Sequence, residues 1–213
     1  MAADHHMMNV HARDPPSNLI ESSREACASA GFDPDWSETK TMSGVRSYWT
    51  AYEQRTIGLS FTLQAERESH ERVLNIGFQD HLHPRNWDDE QQYREFFDSC
   101  IEFICRISCV CNAEYMGLFT ESEYDAIVPS DEPLADHIAI VPPIGIYSES
   151  LLQDFGGLAE LFTEPRWEYS QPPWRVGELD NGSLLVITHP RPWTDGGWTE
   201  SSYVNLRPGE EYV

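Results

Sequence analysis

The sequence predicts an α+β fold: an antiparallel sheet packed against one long amphipathic helix at about 89–111, with shorter helices beside it. Three observations predict it. Segments between 45 and 79 alternate apolar and polar residues with the period of strands. The stretch "FFDSCIEFICRISCVC" at 96–111 then repeats its apolar residues at helical spacing. After it strand signals return, ending in "WRVGELDNGSLLVITHP", where Asp180, Asn181 and Gly182 join two apolar runs and tolerate the positive φ of a hairpin turn.

Taken in order, residues 1–16 are rich in His and Met and end in Pro15 and Pro16. They are expected to form a disordered, mobile tail, with Met7 or Met8 as an alternative start and His5 and His6 carrying no chemistry. Residues 17–213 then make a single α+β domain. Asn18 and Glu21 have capping-box spacing, and Leu19, Ile20, Ser23, Ala26, Cys27 and Ala30 recur helically before Gly31 closes the segment. "VRSYWTAYE", "TIGLSFTLQA" and "ERVLNIGFQ" follow as strands; in the second, Ile57, Leu59, Phe61 and Leu63 alternate with Thr56, Gly58, Ser60 and Thr62.

The long helix starts at Asp88 or Asp89, whose carboxylates suit a helix N-terminus. On a helical wheel Tyr93, Phe96, Phe97, Cys100, Ile104, Ile107 and Cys111 share one face, opposite Asp98, Ser99, Glu102 and Arg106. Charges on that opposite face argue against a membrane segment. "AEYMGLF" is a further strand, "TESE" at 120–123 caps a short helix, and "LADHIAI" fits either helix or strand. "PPIGIYSESLLQDFGG" is a short strand, a Ser148 cap and a helix stopped by two glycines. Residues 190–213, with Trp193, Trp198 and Tyr203 among Gly and Pro, are expected to wrap the surface.

The charge is −22, from 36 acids against 14 bases, of which one is Lys (Lys40) and 13 are Arg. Loss of flexible Lys stems from a strongly anionic surface points to a halophile, where acidity keeps proteins apart and solvated. Between 107 and 165 there are 11 acids and neither Lys nor Arg, so this stretch is either a solvated surface or a docking face for a basic partner. Such a surface excludes nucleic acid as a partner. No run reaches the roughly 18 apolar residues of a membrane helix, and the N-terminus lacks a signal-peptide core, so no membrane association and a cytoplasmic protein with reduced thiols are expected.

Cys100 and Cys111 face the core about 16 Å apart along the helix axis, too far to share a metal. Cys105 and Cys109 stand i, i+4 at the border of the polar face, where two thiolates suit one zinc if further ligands approach; inert packing is the plainer role. Asp80, His81 and His83 in "QDHLHPRNW" have chelating spacing and keep a metal-assisted enzyme open as the alternative function, although surface histidines are the plainer reading. No nucleophile elbow, zincin helix or phosphate loop is present, so no catalytic residue, cofactor or metal is assigned. The Trp193, Asp195 and Trp198 loop suits partner contact or structural anchoring.

The order of elements, with "YMGLFTESEYDAI", "WRVGELDNGSLLVIT" and the Trp- and Gly-rich ending, loosely resembles the small α+β immunity proteins encoded beside polymorphic toxins, in particular their fifty-second numbered family. The resemblance is one of layout over roughly 45–190 and transfers no site residue. It implies a non-enzymatic protein that binds and blocks a basic toxin domain, commonly a nuclease. The docking residues expected on that reading are Glu121, Glu123, Asp125, Asp131 and Glu132, with Trp193, Asp195 and Trp198 as a rim. A salt-adapted domain with another role is the remaining possibility.

Overall fold

The computed structural model describes residues 6–33, 35–42, 45–62, 72–79, 81–82, 86–120, 133–167 and 172–189, the side chains of 38–42 and 120 excepted. The α+β fold is as expected. Among the described residues nine strands form one antiparallel sheet: β1 (His6–His11), β2 (Ser37–Met42), β3 (Val45–Tyr52), β4 (Arg55–Thr62), β5 (Arg72–Gln79), β6 (Tyr115–Thr120), β7 (Ile144–Tyr147), β8 (Arg175–Glu178) and β9 (Leu184–Ile187). Their spatial order is β2-β3-β4-β5-β1-β6-β7-β9-β8. The helices are α1 (Leu19–Ser29), α2 (Glu90–Cys111) and three short ones, α3 (Leu134–His137), α4 (Glu149–Asp154) and α5 (Leu158–Leu161).

The expectation of a mobile tail over 1–16 is corrected for its second half. Residues 6–11 are the central strand β1, hydrogen-bonded to β5 on one side and β6 on the other. Met8 and Val10 are buried in the core that also holds α1 and α2, while Asn9 and His11 point to the opposite side. His6, set aside as chemically silent, is fully buried, and its Nδ1 lies 3.1 Å from the Gln79 carbonyl. Strand β1 therefore joins a four-stranded meander, β2–β5, to the four strands β6–β9.

One side of the sheet, the helix side, packs on α1 and α2. The α2 wheel is as drawn: Tyr93, Phe96, Phe97, Cys100, Ile104, Ile107 and Cys111 are buried, and Ile101 and Phe103 join them. Burying each large apolar side chain contributes about 1.5–3 kcal/mol, so this stripe holds the sheet together. Asp89 caps the helix by accepting from the backbone N–H of Gln91 (2.7 Å) and Gln92 (3.1 Å), and Asn112 ends it in a left-handed conformation (φ 50°). Asn18 stands before α1 but forms no capping box; its amide donates to Ser22 Oγ at 2.9 Å instead. Gly31 follows α1 at φ 86° and turns the chain so that Phe32 reaches Tyr52 and Phe103.

Ser148 caps α4 by accepting from Leu151 N–H at 3.2 Å, and Gly156 and Gly157 end it with positive φ. "LADHIAI" resolves as the single turn α3. Strands β8 and β9 form the expected hairpin, with Gly182 at φ 78° in its turn. The "TESE" helix and the wrapping segment 190–213 lie outside the described residues. Among the described residues, no helix is long and apolar enough to cross a membrane.

Candidate functional site

The side of the sheet away from α1 and α2 is divided into two halves. Over β6, β7 and β9 it is covered by residues 133–167, whose Leu134, Ile138, Val141, Leu151, Phe155, Leu161 and Trp167 form a second core with Tyr115, Phe119, Tyr147 and Val186. Over β3, β4 and β5 no described helix contributes to a core, and Ser47, Trp49, Gly58, Ser60, Asn75 and Gly77 on that side are half-buried.

Beneath the cap, His11, Tyr115 and Tyr147 are cross-strand partners on adjacent strands. The His11 and Tyr115 rings stack at 6.0 Å, Tyr115 and Tyr147 lie 5.5 Å apart, and Phe155 of the cap meets Tyr147 edge-on at 6.3 Å. Gly117 and Gly145, partners in the next row, make room for this line. A Cβ at Gly117 would collide with the Tyr115 hydroxyl and come within 2.5 Å of the Phe119 ring; one at Gly145 would be 2.7 Å from the Tyr147 hydroxyl. The Tyr115 hydroxyl has no hydrogen-bond partner among the described residues, and burial pushes its pKa far above the ordinary phenol value.

The cap presents its charges outward. Asp136, Glu149, Asp154, Glu160 and Glu164 are all exposed, and Leu158, 42% exposed, is the one exposed large apolar residue among the described residues. Arg166, the first base after the acidic stretch, lies over the Phe155 ring at 4.6 Å.

The open half is built differently. One row runs in register from Ser47 through Ser60 and Asn75 to Asn9, and the next from Trp49 through Gly58 and Gly77 to Met7. Its polar groups pair with one another: Ser47 Oγ and Ser60 Oγ are 3.0 Å apart, and Asn75 Nδ2 donates to Asn9 Oδ1 (3.3 Å) and to the Met8 carbonyl (3.4 Å). Arg72 Nη1 donates to Asn9 Oδ1 at 3.4 Å, and burial lowers the Arg72 pKa from its ordinary value. The Trp49 indole lies on Gly58, where a Cβ would be only 3.1 Å from the ring. None of the side chains in these two rows is a carboxylate.

Of the expected docking residues, Glu121, Glu123, Asp125, Asp131 and Glu132 fall within 121–132 and Trp193, Asp195 and Trp198 within 190–213, all outside the described residues. Asp80 and His83 lie outside them too. His81 is half-buried with its ring edge-on to Phe96 at 6.5 Å, and its carbonyl accepts from Trp87 Nε1 at 2.7 Å. No group of three or more His, Cys, Asp or Glu side chains placed to hold a metal occurs among the described residues.

The five cysteines are free. Burial pushes Cys27 and Cys111 up to about 12 and Cys100 well above the ordinary thiol value, with Cys27 facing Cys100 across the α1–α2 contact and adding to the rise. Cys105 and Cys109 are half-buried beside the β8–β9 hairpin: burial raises Cys105 to about 11 against the pull of Arg175, and raises Cys109 against a backbone hydrogen bond from Asn181. Raised thiols are poor nucleophiles and poor metal ligands, which favours the packing role over zinc.

Sequence reasoning missed β1, the His11–Tyr115–Tyr147 line and the acid-free face. The alternation of Met8 and Val10 with Met7, Asn9 and His11 was the available signal for β1, obscured by the scarcity of β-branched and aromatic residues, by Asn9, a poor strand former, and by the nearby prolines.

No family model matches the chain, and no curated protein matches it. Among solved structures, a Pseudomonas aeruginosa T6SS protein, PA0821, is similar at 12% sequence identity and a TM-score of 0.49, covering 86% of this chain and 64% of that one. The chain thus spans less than two thirds of that protein's length.

Proposed function

We propose that this chain is a non-enzymatic binding protein of the cytoplasm, an immunity or inhibitor protein that neutralises a basic toxin domain, with nucleases the foremost class. The observation that carries this reading is the cap: a segment without Lys or Arg up to Arg166 folds so that its apolar residues form a core and Asp136, Glu149, Asp154, Glu160 and Glu164 face outward. Such a surface attracts a basic groove, speeds encounter and repels acidic competitors. The resemblance in element order to immunity proteins supports the same class, and the overall acidity supports a salt-rich cytoplasm.

The test is co-expression with the C-terminal domain encoded by the neighbouring open reading frame. The expected result is rescue of growth and a stable complex whose affinity falls as salt rises. Reversing Glu149, Asp154 and Glu160 to Lys should weaken the complex while leaving thermal unfolding unchanged, and reversal at Glu121, Glu123, Asp125, Asp131 and Glu132 should do the same. A toxic neighbour that is neither bound nor neutralised overturns the reading, as does a complex indifferent to all of these reversals.

A further inference from the structure

We draw no further inference here: the strongest candidate, the surface patch of the cap where Leu158 stands exposed among Asp154, Glu160 and Glu164, is an acidic cluster with one outward apolar side chain, and nothing in the structure shows what covers it.

Discussion

The two halves of the far side of the sheet face the same direction and share the strand β1, yet one is dry, aromatic and covered by an acidic segment while the other, among the described residues, has no helix over it and carries two polar rows without a carboxylate. Glycine shows the difference most plainly. Gly117 and Gly145 are required beneath the cap because tyrosine rings occupy the space a Cβ would take, whereas Gly77 on the open half has room for one. The same residue type serves close packing in one half and flatness in the other. Among the described residues charge is distributed to match, with acids on the outward surface of the cap and none in the two rows through Ser60 and Gly58.

The comparison breaks most completely if the halves are separated. Deleting residues 1–11 removes β1 and leaves β5 and β6, which do not pair with each other, with unpaired edges. Expected is the loss of the cooperative transition in circular dichroism, that is, the whole of a stability that for such domains is about 5–15 kcal/mol. A truncated chain melting like the full one would mean that β1 is dispensable.

Alkali tests the helix side that both halves share. Below pH 9.0, the ordinary thiol value, both the folded and unfolded chains keep the protons of Cys27 and Cys111 and the stability is fully present. As pH rises from there towards about 12, the unfolded chain releases protons that the folded chain retains, so stability falls by roughly 1.4 kcal/mol per pH unit for each thiol. Denaturant midpoints should drop together when followed by fluorescence and circular dichroism, and Cys27→Ala should reduce the slope. Two separate transitions would show that the halves unfold independently.

The smallest effect sharpens the contrast between the halves directly. Gly117→Ala forces a methyl into the Tyr115 and Phe119 rings and should cost about 1–3 kcal/mol in urea unfolding. Gly77→Ala meets no such neighbour and should be neutral or stabilise by up to about 1 kcal/mol, through a less flexible unfolded chain. Equal costs at the two positions would erase the distinction.

Much of this was legible in the sequence where the signal is local. Helix α2, its Asp89 cap and its buried face follow from a 3.6-residue period, β4 from strict alternation, and the β8–β9 hairpin from Asp180, Asn181 and Gly182. The acidity of the cap was legible too, since charge is counted without knowing the fold. What only the tertiary structure decided is which local elements become neighbours. A six-residue segment rich in His, Met and Asn has no strong preference of its own and becomes a strand because β5 and β6 leave a slot whose hydrogen bonds and apolar floor it completes. The line from His11 to Tyr147 and the acid-free rows through Ser60 and Gly58 are likewise assembled across strands far apart in the chain. Their side chains acquire a common face only through the register of the sheet, which pairing across the whole molecule sets.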